Sequence, residues 1–253
     1  MTEKDYLKKY DIKVVILSRG RYNTITTHKL LPSYIEVVVP DDEIDLYKEV
    51  LENPLIPIPH ELEGLGAVRN WCLKNFEEET IIMIDDDIVN CYYLADLKAR
   101  RIDDGQELLQ ILINTAVMAK DMGVHCFGYS QTDIRKFNGT EPFKLNSWVG
   151  CVVGVIGRKY EFRNDKFKVD IDFCLQNLLV DRRLFIDNRY YFIQKRDCNV
   201  GGNSKYRTQE AFNKSVESLK EKWGDYVKVS KRHESNIQIK LNVKRRQSVE
   251  YEK

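Results

Sequence analysis

The chain has 253 residues, with 40 lysines and arginines against 39 aspartates and glutamates and a hydrophobic fraction of 43%. This composition is typical of a soluble globular protein with one large domain, and the near-zero net charge excludes a surface that is uniformly basic for nucleic acid. No apolar run approaches the length of a membrane-spanning helix and the start of the chain is charged rather than signal-like, so we expect a cytoplasmic protein that contacts no membrane.

Strand and helix patterns alternate through the first half of the chain. β-Branched apolar runs and a proline-bearing edge segment predict strands over residues 12–18, 35–39, 55–59 and 80–84. Helices are predicted over residues 24–31, 42–51 and 66–76. This alternation predicts an α/β fold, a Rossmann-like and mainly parallel central sheet with helices on both faces, which binds ligands at the carboxyl ends of its strands.

The second half of the chain is less regular. Its predicted helices are residues 106–122, 170–179 and 209–223, and its predicted strands are residues 125–130, 148–156 and 184–194. Weak alternation over residues 226–243 predicts a β-hairpin. No linker separates these elements, so we expect one domain over residues 1–225 and a basic C-terminal extension of the same domain over residues 226–253.

The neutral total charge hides two segments of opposite sign. Residues 32–66 carry nine acidic side chains against one lysine, a net charge of −8, and should avoid phosphate groups. Residues 228–246 carry seven basic side chains against one glutamate, a net charge of +6. The basic segment indicates either a binding site for a polyanion or a solvated tail that keeps the protein soluble.

The six cysteines lie at least 19 residues apart and form no C-x-x-C pair. This spacing argues against a zinc cluster and against a disulfide framework. We expect reduced thiols.

The sharpest motif is a run of three acids, Asp85, Asp86 and Asp87, directly after the apolar strand over residues 80–84. Carboxylates crowded at the end of a buried strand repel one another unless a cation or water relieves the repulsion. Hard oxygen ligands in such a place suit Mg²⁺ or Mn²⁺. The alternative is an acidic turn that caps a following helix.

Two classes of metal-dependent enzyme carry an acid-x-acid pair at a strand end. Phosphatases of the haloacid dehalogenase type have D-x-D-x-T/V on the first strand of their domain, and residues 85–89 fit that pattern, although three predicted strands precede them. Glycosyltransferases of the A-type fold have D-x-D at the end of the fourth strand, after a nucleotide-binding half. The arrangement of this chain is similar to the second class.

Two segments before the acids extend the resemblance to A-type glycosyltransferases. Residues 15–21 resemble their first strand and the loop that holds the nucleoside, and residues 64–70 resemble their G-x-A-x-x-R-N helix start. A helix N-terminus with small residues brings backbone N–H groups and an arginine close to a diphosphate. The residues that the resemblance assigns to the donor are Ser18, Arg19, Arg21, Arg69, Asn70 and Asp86.

A second acidic motif, Asp170-Ile171-Asp172, resembles the E-D-x-D-x-x-L segment of the same enzymes. The resemblance implies that Asp170 takes the proton of the acceptor hydroxyl, but Val169 stands where the family has Glu, and Asp172 is the rival. Local signals also fit a helix N-cap at Asp170 with Asp172 in the first turn. The two interpretations are compatible.

The whole set of motifs most closely resembles the phage glycosyltransferases associated with TET-like oxygenases, which modify hydroxymethylated pyrimidines in viral DNA. The resembling segments are residues 18–21, 66–70, 85–87, 170–172, 201–203 and 206–208. The resemblance implies transfer of a sugar from a nucleoside diphosphate, expected to be UDP, to a hydroxyl of modified double-stranded DNA. It also implies a Mn²⁺ or Mg²⁺ ion on Asp85 and Asp87, to which we add His233, because A-type enzymes often use a late histidine.

Other functions stay open on the sequence. A glycosyltransferase could act on a glycan, a protein or a small molecule instead of DNA, and the strand-end acids also fit a phosphatase. A module that binds a metal or a nucleotide without catalysis is a third possibility. The loop over residues 201–203 fits either a flap over the donor or an ordinary turn. The oligomeric state is not predicted.

Overall fold

The computed structural model of the protein describes residues 2–95, 98–130, 141–165, 167–195, 208–233, 236–241 and 243. Within this part of the chain, no helix combines the length and the apolar character that crossing a membrane requires.

A ten-stranded mixed sheet forms the centre of the protein, in the order β3-β2-β1-β4-β9-β7-β10-β5-β6 with β8 beside β10. Its strands are β1 (Ile12–Leu17), β2 (Glu36–Pro40), β3 (Leu55–Ile58), β4 (Thr80–Asp85), β5 (Ile88–Ala95), β6 (Lys98–Arg101), β7 (Cys126–Ser130), β8 (Phe143–Lys144), β9 (Val152–Ile156) and β10 (Phe185–Gln194). The helices are α1 (Glu3–Lys9), α2 (Ile44–Lys48), α3 (Leu65–Asn75), α4 (Gly105–Asp121), α5 (Val169–Val180) and α6 (Gln209–Trp223).

The sheet is mainly parallel. Its first four strands all run in one direction, and seven of its ten strands share that direction, with β5, β8 and β9 opposed. The proline-bearing β3 lies at one edge, where the missing N–H group of Pro57 costs no ladder hydrogen bond. The predicted α/β class is confirmed.

Both faces of the central strands β1 and β4 are buried, because helices cover each face. Along β1, Val14 and Ile16 pack into a core that includes α4, whereas Val15 and Leu17 pack into a core that includes α3 and α5. A strand buried on both faces needs apolar residues at every position, as in the continuous apolar runs of β1 and β4.

Several elements differ from the sequence-based expectation. The helix predicted over residues 24–31 is only a 3₁₀ turn, Thr27–Leu30, because the hydroxyls of Thr26 and Thr27 donate to the carbonyls of Ile88 and Asp85. The hairpin β5–β6 was not predicted, since its aromatic and basic residues show no clean alternation. The N-terminal helix α1 was also missed, although Thr2 and Asp5 form a capping box at its start.

The C-terminal hairpin was predicted and is formed by β11 (Val227–His233) and β12 (Asn236–Leu241). Val227 and Leu241 pack against α5 and α6, next to Ile171 and Leu175. The hairpin therefore shares a small hydrophobic core with the helix that carries the second acidic motif.

Gly154 on β9 leaves room for the ring of Phe127 on the neighbouring strand β7, since a Cβ atom at residue 154 would overlap that ring. We expect Gly154→Ala to lower the free energy of unfolding by about 2 kcal/mol through overpacking, as measured by chemical denaturation. The double variant Gly154→Ala/Phe127→Leu should lose less free energy of unfolding than the two single variants lose together. Additive effects would contradict this contact.

Candidate functional site

The acidic turn, residues 85–87, follows β4 at the carboxyl edge of the parallel strands. Leu17 pairs with Asp85 in the register of β1 and β4, so Ser18 and Asp86 are neighbours just beyond the strand ends. The carboxyl edge of a parallel sheet is where α/β proteins bind ligands. The motifs on β1 and β4 therefore meet at one place.

Asp85 and Asp87 each have one carboxylate oxygen bonded to an arginine. Arg69 Nη2 donates to Asp85 Oδ1 over 3.4 Å, and Arg21 Nη1 donates to Asp87 Oδ2 over 3.3 Å. The other two oxygens, Asp85 Oδ2 and Asp87 Oδ1, both accept from Nε2 of Gln194, over 3.1 Å and 2.9 Å. These inner oxygens thus converge on one point at the end of β10.

Asp86 points the other way and is buried. Arg21 Nη1 donates to its Oδ1 over 2.6 Å, and Ser18 Oγ donates to its Oδ2 over 2.6 Å. Since the hydroxyl hydrogen of Ser18 is used there, Tyr47 donates to Ser18 over 2.6 Å and accepts from the backbone N–H of Arg21. Three of the residues predicted to bind the donor, Ser18, Arg21 and Asp86, are therefore bonded to one another.

Threonines from the loop after β1 hold the backbone of the acidic turn. Thr27 Oγ1 donates to the carbonyl of Asp85 over 2.6 Å and accepts from the N–H of Ile88 over 3.0 Å. Thr26 donates its N–H to the carbonyl of Asp86 over 2.9 Å. On the other side, the N–H of Lys195 donates to the carbonyl of Asp87 over 2.9 Å. The turn is thus fixed by both flanking segments.

Arg69 reaches the site from α3 and is only 1% exposed. Its Nη2 also donates to the carbonyl of Gly150 over 3.4 Å, and its guanidinium lies 5.3 Å from the ring centre of Phe162. The helix can approach this closely because Gly66 faces the carbonyl of Arg163, where a Cβ atom would overlap it. The small residue predicted to admit a diphosphate thus serves close packing between chain segments.

Asn70 and Arg19 make contacts away from the acidic turn. The side chain of Asn70 bonds to both the N–H and the carbonyl of Phe162, each over 2.8 Å, and so fixes the segment before α5. Arg19 Nη2 donates to the carbonyl of His60 over 3.0 Å, beyond the end of β3. Asp41 accepts from His60 there, across the carboxyl ends of β2 and β3. These residues line the sheet edge beside the acidic turn.

Asp170 lies in the first turn of α5, half-buried, and is close enough for its charge to raise the pKa of Asp85. The residue before the helix, Lys168, has a φ of 56°, a left-handed conformation that costs energy for a lysine. This conformation starts α5 abruptly after the segment held by Asn70. The structure therefore brings the second acidic motif to the first through Asp170.

Asp172 points to α6 and is fully buried. Trp223 Nε1 donates to its Oδ1 over 2.7 Å, Lys222 pairs with the same oxygen over 2.8 Å, and Gln176 donates to its Oδ2 over 2.8 Å. With both oxygens engaged, this carboxylate ties α5 to the C-terminal helix. Of the two aspartates in this motif, Asp170 is the one that keeps exposed surface.

Three sequence-based expectations fall wholly or partly outside the described residues. His233 ends β11, where it pairs with Asn236 through the backbone, and its side chain is not among those described. The loop over residues 201–203 and the basic run over residues 244–246 lie outside the described residues altogether.

Buried carboxylates at this density shift their protonation equilibria. Burial, opposed by Arg69 and reinforced by neighbouring carboxylates that include Asp170, raises the pKa of Asp85 to about 7. Burial also raises the pKa of Asp86, against the opposing effect of Arg21. A bound cation favours the ionised form of such groups.

The composition of the site fits a divalent cation. Four carboxylates, those of the acidic turn and of Asp170, stand against two guanidinium groups that bond to them, which leaves an excess of negative charge. Oxygen ligands of this kind suit Mg²⁺ or Mn²⁺. The residues that would hold the ion are Asp85 and Asp87, whose inner oxygens already converge.

Sequence reasoning missed several residues of the site. Tyr47 lies in an acidic helix and looks like an ordinary core aromatic, and Gln194 ends a strand without any motif. The sequence predicts a helix over Thr26 and Thr27. The sequence feature that indicates such residues is the run Asp85–Asp87, because a buried acidic turn requires hydrogen-bond donors from elsewhere in the chain.

Solved structures with a similar fold are glycosyltransferases. A mannosyltransferase from Pyrobaculum calidifontis, solved with GDP-mannose and Mn²⁺, is 15% identical with a TM-score of 0.51, and the match covers 77% of this chain and 64% of that one. Glucosyl-3-phosphoglycerate synthase from Mycobacterium tuberculosis, solved with Mn²⁺, UDP and its product, is 10% identical with a TM-score of 0.50, covering 94% and 89%. At these identities the likeness shows the fold, and the predicted A-type fold is confirmed.

A third similar structure is a fragment of S. aureus TarS with UDP-GlcNAc, 16% identical with a TM-score of 0.49, covering 82% of this chain and 65% of the fragment. This chain spans less than two thirds of the length of the mannosyltransferase and of the TarS fragment. No curated protein sequence matches the chain.

The sequence profile of one family matches residues 12–203, more than half of the chain, and this match includes β1, the acidic turn and α5. The profile is that of the TET-associated glycosyltransferases. The chain belongs to the TET-associated glycosyltransferase family, as its motifs predicted.

Proposed function

We propose that the protein transfers a sugar from a nucleoside diphosphate to a hydroxyl group and that this transfer requires a divalent cation. The observation that carries the proposal is the convergence of Asp85 and Asp87 at the carboxyl end of β4, in a chain of a glycosyltransferase family. The mannosyltransferase and the glucosyl-3-phosphoglycerate synthase with this fold were both solved with Mn²⁺.

A cation held by Asp85 and Asp87 would neutralise the charge that develops on the leaving diphosphate. The roles of the protein groups around it follow from their contacts. Arg69 and Arg21 orient the two carboxylates, and Asp86 holds Arg21 in place through a buried ion pair. Preorganised charges of this kind stabilise a transition state without rearrangement.

The donor is proposed to lie along the carboxyl edge of β1, β2 and β3. Among the described residues, Nε of Arg19, Nε of Arg21, and Nε and Nη1 of Arg69 are buried without a hydrogen-bond partner. Buried donors that lack acceptors are costly, and an anionic ligand supplies acceptors. Structures with this fold were solved with UDP and with GDP-mannose, and a UDP-sugar is the donor we propose.

Asp170 is proposed as the general base that accepts the proton of the attacking hydroxyl. It is half-buried in the first turn of α5 and electrostatically coupled to Asp85, so the acceptor hydroxyl would lie between the base and the cation. General bases of this type contribute about 10²- to 10⁴-fold to the rate.

The acceptor is proposed to be a hydroxymethylated pyrimidine in double-stranded DNA. The family membership supports this proposal, and so does the +6 segment at the C-terminal end. The hairpin that begins this segment packs on α5, the helix that also carries Asp170. The basic segment thus begins beside α5, the helix that carries the proposed base, where its positive charge would attract the phosphates of an acceptor duplex.

A phosphatase is the less favoured alternative. Enzymes of the haloacid dehalogenase type have their acidic motif on the first strand of the domain, whereas the acidic turn of this chain follows β4. The matching family and the two similar structures with bound Mn²⁺ are glycosyltransferases. No structural feature of the described residues favours phosphate release over sugar transfer.

The proposal predicts sugar transfer to modified DNA. We expect incubation with Mn²⁺, a panel of nucleotide-sugars and hydroxymethylated duplex DNA to give nucleosides heavier by one sugar, as measured by mass spectrometry after digestion. Unmodified DNA is the matched control and should stay unchanged, because it lacks the acceptor hydroxyl. Transfer only to a glycan or a protein would reject DNA as the acceptor, and release of phosphate from a monoester would favour the phosphatase.

Removal of the cation ligands should abolish transfer without unfolding the protein. We expect Asp85→Asn and Asp87→Asn to lower kcat at least 100-fold while the protein stays folded, because each asparagine keeps an oxygen that can accept from the neighbouring arginine and lowers the carboxylate repulsion. Excess chelator should give the same loss in the unsubstituted protein. The control Asp103→Asn alters an exposed ion pair with Arg101 and should keep full activity. Undiminished turnover in either site variant would refute the cation role.

The two aspartates of α5 should behave differently. Asp170→Asn should lower kcat about 10²- to 10⁴-fold with little change in the KM of the donor or in stability. Asp172→Asn should instead lower the free energy of unfolding by about 1–3 kcal/mol, because it weakens a buried network with Lys222 and Trp223. Rate assays and denaturation curves separate these effects. A normal rate for Asp170→Asn would move the base elsewhere or indicate a retaining mechanism.

A further inference from the structure

Gln194 occupies the point on which the two proposed cation ligands converge. Its Nε2 donates to Asp87 Oδ1 over 2.9 Å and to Asp85 Oδ2 over 3.1 Å. Arg69 and Arg21 bind the outer oxygens of the same carboxylates. An amide N–H₂ group therefore stands between two carboxylates, where a positive charge is most favourable.

The backbone aims Gln194 at this point. Gln194 pairs with Ile88 and Ile193 pairs with Asn90, so Val89 has no partner and β5 carries a bulge there. Bulges next to active sites often redirect a side chain. The next residue, Lys195, donates its N–H to the carbonyl of Asp87, which locks the end of β10 to the acidic turn.

A glutamine amide presents an oxygen instead of a nitrogen after a half-turn of its terminal bond. In the position of Nε2, the oxygen Oε1 would lie 2.9 Å and 3.1 Å from the inner oxygens of Asp87 and Asp85. Adjacent ligands of an octahedral Mg²⁺ ion, at bond lengths of about 2.1 Å, lie about 3.0 Å apart. The two distances from Oε1 to the carboxylate oxygens would then have the spacing of adjacent ligands in one coordination shell.

We propose that Gln194 is a third protein ligand of the cation, through Oε1, and that its amide turns over when the ion binds. This inference rests on the proposed cation requirement. In the absence of an ion, the N–H₂ group bonds to both carboxylates, and in its presence the carbonyl replaces that contact with a metal bond. Neither state leaves the inner carboxylate oxygens without a positive partner, and the neutral amide adds no further negative charge to a crowded site.

The test measures Mn²⁺ binding in the absence of substrate. The electron paramagnetic resonance signal of unbound Mn²⁺ reports how much of the ion is bound. We expect Gln194→Leu, which keeps the size and removes the oxygen, to weaken binding at least tenfold. Gln194→Glu keeps an oxygen and adds a negative charge, so it should bind Mn²⁺ at least as tightly as the unsubstituted protein. Mn²⁺ should also raise the melting temperature of this variant by more than it raises that of the unsubstituted protein. The control Gln110→Leu changes a glutamine that bonds to Asn114 on α4 and should leave the affinity unchanged.

The outcomes separate this inference from the proposed function. Affinity for Mn²⁺ within twofold of the unsubstituted protein in Gln194→Leu, together with lost binding in Asp87→Asn, would overturn the role of Gln194 and leave the cation site standing. Absence of Mn²⁺ binding in the unsubstituted protein would overturn both. If Gln194→Leu does not fold, Gln194→Glu decides, because weaker binding there contradicts an oxygen ligand at this position.

Discussion

The site depends on one electrostatic constraint, the placement of three consecutive carboxylates at the end of a buried strand. Each carboxylate requires positive charge or hydrogen-bond donors, and those partners come from distant parts of the chain. Asp85 bonds to α3, Asp86 to the loop after β1, and Asp87 to that loop and to β10. The elements around the acidic turn are therefore fixed relative to one another by the same charges that would hold a cation. Close packing at Gly66 and buried threonine contacts serve the same arrangement, because they bring the donors within reach.

A second layer of contacts connects the C-terminal part of the chain to the site. Asp172 bonds to Lys222 and Trp223, and Arg163 donates to Ser218, so α6 holds both the first turn of α5 and the segment before it. Asp170 lies in that turn. The C-terminal helix and hairpin thus act on the proposed base through packing, although neither carries a residue of the acidic turn. This explains why Asp170 and Asp172, two residues apart in one motif, have different environments.

The sequence predicted the sheet and its parallel half because these follow from apolar runs and local patterns, whereas the resemblance to glycosyltransferases implied that the two acidic motifs serve one site. Strands such as β1 and β4 need apolar residues on both faces, and this requirement is visible in six residues. Gln194 and Tyr47 could not be predicted, because their roles depend on contacts between residues far apart in the chain. The resemblance favoured Asp170 and left Asp172 as the rival, and the contacts of Asp172 with α6 distinguish their environments. The threonines after β1 were mistaken for a helix for the same reason, since their partners are carbonyls of the acidic turn.

The reversed direction of β9 has a consequence for how such a site can diversify. β9 lies between β4 and β7 and runs against both of them, so the chain that enters it arrives at the functional edge instead of leaving it. The carbonyls of Gly150 and Cys151, just before β9, accept from Arg69 and from the backbone N–H of Asp85. The segment over residues 145–151 that leads into β9 therefore ends beside the acidic turn, where these two bonds anchor it. Insertions or deletions before that anchored end would reshape the surface beside the acidic turn without shifting the register of any strand, so this surface could change in evolution while the charged centre stays the same.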